Sequence, residues 1–162
     1  MAGRTGRCLW FAPEACLDRV VRRPGREVER TDPCVPGLEH AFDLQAIDAP
    51  DASYDLILCI HVVEHVERDR QALAELARIL KPGGLLCLAV PMDDRQPQTV
   101  EFGAPDWDKC GHWRDYGADF RDRIPAELTT RQLKAGTVLR AEERASLGIH
   151  SREIIYLCEK PA

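Results

Sequence analysis

Between Ser53 and Pro91 the chain spells a strand, a helix and a second strand in unbroken succession, and nothing else in it restricts the fold as much. Leu56 to Ile60 is an unbroken apolar run of the kind that a strand buried on both faces requires. Asp69 is placed to cap a helix whose apolar stripe is Ala72, Leu73, Leu76, Ile79 and Leu80, with Arg70, Gln71, Glu75 and Arg78 opposite. Lys81 is expected in the last helical turn, where its charge opposes the helix dipole, and Pro82-Gly83-Gly84 is expected to stop the helix. Leu85 to Val90 then forms the second buried strand. Two strands joined by so long a crossover pair in parallel, and parallel sheets bind ligands at the carboxyl ends of their strands. The polar corner His61, Glu64, His65 falls at that edge.

The chain of 162 residues reads as one domain over 1–162. A net charge of −5 without blocks of like charge gives no indication of a nucleic-acid-binding stripe. The apolar runs near Leu56 and Leu85 are too short to span a bilayer, and the stretch from Met1 to Arg7 lacks the apolar core of a signal peptide. Seven cysteines are scattered without a C-x-x-C pair, several inside predicted strands, which reads as buried thiols of a reducing cytoplasm. Cys110 and His112 offer two metal ligands, which do not make a site.

Elsewhere the order stays α/β. Strands are expected at Cys8–Phe11, Val28–Thr31, His40–Phe42, Thr137–Arg140 and Glu153–Cys158, with a helix from Pro13 to about Arg23 and another from Tyr116 to Ile124. Residues 92–115 are polar and contain Pro and Gly, which predicts a long loop suited to binding or closure.

These residues carry a resemblance. The Tyr54-Asp-Leu-Ile strand, the His61-Val-x-Glu-His65 corner and the Leu80-Lys-Pro-Gly-Gly84 turn are similar to those of small bacterial class I S-adenosylmethionine-dependent methyltransferases. His112-Trp-Arg-Asp-Tyr-Gly117 resembles the His-x-Arg-x-Tyr-Gly stretch that follows the fifth strand in such proteins, and Trp10-Phe-Ala-Pro-Glu14 the first-motif variant of one branch of the family. The resemblance implies a Rossmann-like doubly wound sheet of seven strands in the order 3-2-1-4-5-7-6, with the last strand antiparallel. Residues of about 8–91 would hold the cofactor S-adenosylmethionine, and about 92–160 the acceptor loop and last strands. It further implies that Phe11, Ala12, Pro13 and Glu14 form the first cofactor turn and that Asp32 accepts from the ribose hydroxyls. Asp43 and Leu44 would border the adenine, and Cys59, Ile60 and His61 the methionine end. For Asp32 and Asp43, ordinary turn chemistry is the alternative.

The chain departs from the family at Ala12-Pro13-Glu14, where a Gly-rich turn would let the backbone approach a cofactor. Without glycine a turn at positive φ is harder to make. A catalytically weak or inactive binding subunit of the same fold, or a site completed by a partner, therefore stands as the alternative to an enzyme. The corner itself has three readings. As H-x-x-E-H it matches an inverted zinc-peptidase motif, but that needs a helix beginning before His61. As a metal corner with Glu64, His65 and His61 it is similar to the Glu-x-x-Glu-His corner of metal-assisted O-methyltransferases, with His61 in place of a glutamate, which favours a softer ion than Mg²⁺. In the favoured reading no metal is bound: Glu64 and His65 orient the corner and His61 flanks the cofactor. No catalytic residue can be singled out; His112, His61 and Asp93 are the candidates for a general base. The chain is thus expected to be a cytoplasmic methyltransferase of a small-molecule acceptor, with homo-oligomers left open.

Overall fold

A computed structural model of the chain describes residues 5–162. Residues 1–4, part of the stretch read for a signal peptide, lie outside the described residues. The chain opens with β1 (Gly6–Phe11), a 3₁₀ turn at Ala15–Leu17, α1 (Asp18–Val21) and β2 (Arg26–Thr31). The central unit follows as β3 (Tyr54–Ile60), a 3₁₀ turn at Val63–His65, α2 (Asp69–Ile79) and β4 (Leu80–Ala89). Then come β5 (Val100–Asp106), β6 (His112–Asp115), a 3₁₀ helix at Ala118–Arg123, β7 (Thr129–Lys134), α3 (Ala135–Val138), α4 (Ala141–Leu147) and β8 (Ile154–Glu159). Six strands form one sheet in the order β2-β1-β3-β4-β8-β7, with β8 antiparallel to both neighbours, while β5 and β6 pair separately.

Alternation along the central strands gives the sheet two apolar faces. Leu9, Phe11, Ile57, Cys59, Leu86 and Leu88 point into a core closed by Leu73, Leu76 and Ile79 of α2 and by Tyr116 and Phe120. Cys8, Trp10, Leu56, Leu58, Leu85 and Cys87 point to the other face, where Leu17 and Val21 cover them. Both faces of β1, β3 and β4 are therefore dry, as their unbroken apolar runs require.

Several expectations are corrected. The third strand is one bridge, Thr31 to His40, so the sheet has six strands in place of seven. Pro33 and Pro36 have no N–H to give, and the Phe42 amide donates to Thr31 Oγ1 (2.9 Å) instead of a strand ladder. The sixth strand lies at Thr129–Lys134, and Thr137 belongs to α3. As the outermost strand of the sheet, β7 needs no apolar run, so its sequence Thr-Thr-Arg-Gln-Leu-Lys carries no strand pattern.

Asp69 is the first helical residue of α2, not its cap. Lys81 lies beyond the helix and pairs with Asp55 (2.7 Å). Pro82-Gly83-Gly84 makes a register shift inside β4, not a helix stop, and Gly83 takes φ 73° while its amide donates to the Lys160 carbonyl (2.8 Å). The Pro13 helix shrinks to a 3₁₀ turn and four residues of α1, and the one expected after Tyr116 is a 3₁₀ helix. Within residues 92–115, expected as loop, β5 and β6 form a hairpin. Among the described residues no helix is long and apolar enough to cross a membrane.

Candidate functional site

Four separate segments converge at the carboxyl ends of β1, β2 and β3 to line a cleft of about 630 Å³. They are Phe11-Ala12, Thr31 to Cys34, Ala41 to Leu44 and the corner residues His61, Val62, His65 and Val66. Six of the ten residues expected to touch a cofactor lie here: Phe11, Ala12, Asp32, Asp43, Leu44 and His61. Pro13 and Glu14 leave the cleft toward α1, where Glu14 is exposed. Cys59 is wholly buried, and Ile60 packs against the opposite apolar face, so both stand behind the wall.

The first turn is made without glycine. Ala12 takes φ 44° and donates its amide to the Thr31 carbonyl (3.0 Å), which draws the end of β1 over the end of β2. His61 does the same at the end of β3, with φ 54° and its amide on the Ala89 carbonyl (2.9 Å). Non-glycine residues in the left-handed region are uncommon, and two of them flank this cleft. Asp32 Oδ1 accepts from the Cys34 amide (2.8 Å) and Asp43 Oδ1 from the Gln45 amide (2.9 Å). Each carboxylate thus serves its turn with one oxygen while lining the cleft.

Two smaller clefts adjoin. One of about 300 Å³ is lined by His61, Val90 to Asp93, His150, Arg152, Glu153 and Ile154. The other, about 480 Å³, lies under the β5–β6 hairpin between Met92, Gln96, Lys109, His112 and Tyr116. His61 is common to the first cleft and the large one, and Pro91 to Asp93 to the two small ones. The candidate bases differ sharply in their surroundings. Arg95 grips both oxygens of Asp93 (2.9 and 2.6 Å) and holds its carboxyl well below the usual range, which makes it a weak base. Glu64, with Oε1 3.5 Å from His61 Nδ1, raises the histidine's pKa above its ordinary value.

The corner is clamped by Arg114, Tyr116 and Asp69, whose partners lie far away in sequence. Arg114 of β6 is 3 % exposed and donates to the carbonyls of Val66 (2.7 Å) and Glu67 (2.5 Å) and to Glu101 (2.8 Å). Asp69 accepts from Arg123 (2.6 Å) and from the Tyr116 hydroxyl (3.0 Å), and Arg114 Nε lies 3.7 Å from it. The motif His112-Trp-Arg-Asp-Tyr-Gly117 therefore ties the hairpin to the corner through Arg114 and Tyr116. Gly117 closes the motif because a Cβ there would lie 2.6 Å from the backbone of Gln98. The tie brings His112 against His65, with ring centroids 4.9 Å apart, edge to face.

The buried thiols carry no such chemistry: burial pushes Cys8 up to about 12 and Cys87 and Cys158 up to about 11.

Comparison with known proteins agrees with this fold. A ubiquinone biosynthesis O-methyltransferase of Maricaulis maris (strain MCS10) is 27% identical over 104 residues, which is 63% of this chain and 40% of that protein. The chain spans about two fifths of the length of the curated relatives it matches. The 1,6-didemethyltoxoflavin-N1-methyltransferase of Burkholderia thailandensis, solved with 1,6-didemethyltoxoflavin and S-adenosylhomocysteine, superposes with a TM-score of 0.68 at 16% identity, over 99% of this chain and 73% of that one. The cyclase SpnF also superposes at 0.68 and 16% identity, over 98% of this chain and 76% of that one. Residues 18–88 match the family model described as a methyltransferase domain, and the chain has the Rossmann-like α/β fold that its methyltransferase neighbours share.

Proposed function

We propose that the chain binds S-adenosylmethionine in the 630 Å³ cleft and transfers a methyl group to a small acceptor seated in the adjoining clefts. The observation that carries this reading is the convergence of Phe11-Ala12, Asp32, Asp43-Leu44 and His61 from four segments onto one largely apolar cleft at the ligand-binding edge of a parallel sheet. In this reading the remaining oxygen of Asp32 accepts from the ribose hydroxyls. Asp43 takes the adenine amine, and Leu44 with Phe42 sandwiches the base. When bound, the cofactor supplies a methyl already activated on a sulfonium, so the protein's task is alignment and exclusion of water. His61 stands between the large cleft and the 300 Å³ one and orients an acceptor, while His112 faces an acceptor from the hairpin side.

A second reading, a binding subunit of the same fold, is favoured by the strained Ala12 turn in place of glycine. Calorimetric titration with S-adenosylhomocysteine tests the first. One site per chain, weakened about tenfold or more by Asp32→Ala, supports it, since a lost charge-assisted hydrogen bond is worth about 1.5–3 kcal/mol. No heat at millimolar ligand rejects it and leaves the second.

A further inference from the structure

Glu64 is buried against the expectation for its chemistry. It is 1 % exposed, and among the described residues neither carboxylate oxygen has a hydrogen-bond partner. A sequestered carboxylate in that condition is strongly disfavoured unless a cation completes it. Histidines stand around it: His61 Nδ1 at 3.5 Å and His65 Nε2 at 4.0 Å from Oε1, and His112 packed edge-on to His65. One ligand atom each from Glu64, His65 and His112 lie within 4.8 Å of one another, and His61 falls outside this set.

We propose that Glu64, His65 and His112 bind a single divalent cation of the borderline class, Zn²⁺ in preference to Mg²⁺. Two imidazoles and one carboxylate are the donor set that a tetrahedral zinc site with an open position uses, whereas Mg²⁺ demands oxygen ligands. Ligand atoms about 2.1 Å from such an ion stand about 3.4 Å apart, so the group must close by up to about 1.4 Å. The exposed His65 and the half-buried His112 can turn to do so, while Glu64 stays fixed in the wall. The Arg114 clamp holds the hairpin, and with it His112, over the corner. His65 lines the 630 Å³ cleft and His112 the 480 Å³ one, which sets the ion at their junction. An open position there fits a water or an acceptor oxygen, whose pKa the ion lowers. This last role rests on the methyl-transfer reading; the binding of the ion does not.

The test is calorimetric titration of the chelator-treated full chain with Zn²⁺ and with Mg²⁺. One Zn²⁺ per chain is expected, with Mg²⁺ about a hundredfold weaker or more. Glu64→Gln and His112→Ala should each weaken Zn²⁺ by about tenfold or more, and Cys110→Ala should leave it unchanged. Without metal, Glu64→Gln should melt above the parent, because it removes the uncompensated charge, and should lose the rise in Tm that Zn²⁺ gives the parent. Absence of stoichiometric Zn²⁺, Mg²⁺ binding as tight as Zn²⁺, or Zn²⁺ binding indifferent to Glu64→Gln overturns the proposal. S-adenosylhomocysteine titrated into the metal-free chain keeps the two questions apart, since its binding survives a failure of the metal site.

Discussion

Ala12 concentrates what is unusual at the residue scale. A Cβ at φ 44° is strained, yet the turn forms, because the amide has a fixed acceptor in Thr31 and β1 and β2 are already in register from Gly6↔Arg26 to Phe11↔Thr31. The neighbouring strands therefore over-determine the conformation. Ala12→Gly should relieve about 1–2 kcal/mol of left-handed strain and lose about 0.4–1 kcal/mol to the freer unfolded chain. The expected net is about 0.5 kcal/mol of added stability, read as a rise in urea midpoint at unchanged m-value. A drop in midpoint would show that the methyl group packs in a way that the strain argument omits. Residues such as Asp32, Asp43 and His61 were legible from sequence because chemistry and position coincide at strand ends. Arg114 and Asp69 were not, since an arginine within a polar stretch and an aspartate before a helix look like solvent-facing charge and a cap. Only the approach of the hairpin to the corner buries them. His112 was legible as a base candidate, but its place beside Glu64 and His65 was not, because 47 residues separate it from His65 in sequence.

Among the elements, the β3–α2–β4 unit was readable because both of its strands are buried on two faces and its helix has one apolar stripe. β7 and the hairpin were not readable, since an edge strand and a short exposed pair need no apolar run. Charge ties the hairpin down: its Arg114 and Glu101 meet the buried Asp69 and Arg123 of the following 3₁₀ helix. Arg114→Ala leaves Asp69 short of one cation and two corner carbonyls without donors, so it should cost about 3 kcal/mol, measured by urea unfolding, and Arg114→Lys should recover only part of it. α2 carries a second charged device. Arg78 grips Glu75 and reaches Asp51 and the carbonyls of Ile47 and Ala49, and Glu75 also accepts from the Ile47 amide. The Arg78 guanidinium holds the Glu75 carboxyl below its usual value. A depressed native pKa stabilises the fold above the unfolded value of about 4.3 and ceases to do so as pH falls through the native value. Glu75→Gln should therefore cost about 1 kcal/mol at pH 7, and the gap in Tm between parent and variant should close on acidification below about pH 4.

For the whole molecule, the 630 Å³ cleft opens at the strand ends of one central slab, so ligand binding there and global stability are linked. β1, β3, β4 and β8 form its centre, and the edges are β2, extended by the single His40 bridge, and β7. The β5–β6 hairpin stands apart from the sheet and carries Trp107, 82 % exposed. Amide exchange should be slowest in β1, β3 and β4, whose amides are paired on both sides between two dry faces. It should be faster in the hairpin, which opens without unfolding the sheet. If the large cleft takes S-adenosylhomocysteine, ligand at a hundredfold excess over Kd adds about 2.7 kcal/mol to the folded state, or about 5–10 °C in Tm for a chain of this size. The slab should then exchange more slowly throughout, because its amides open only by global unfolding. Thr31 to Cys34 and Ala41 to Leu44, which line the cleft, should gain protection beyond that uniform factor, since ligand also suppresses their local opening. The hairpin amides should be unchanged by the cofactor alone and protected by Zn²⁺, which ties His112 to Glu64. Protection by the cofactor confined to the hairpin would place the ligand in the wrong cleft, and with it the division of labour between the two sides of the corner would fail.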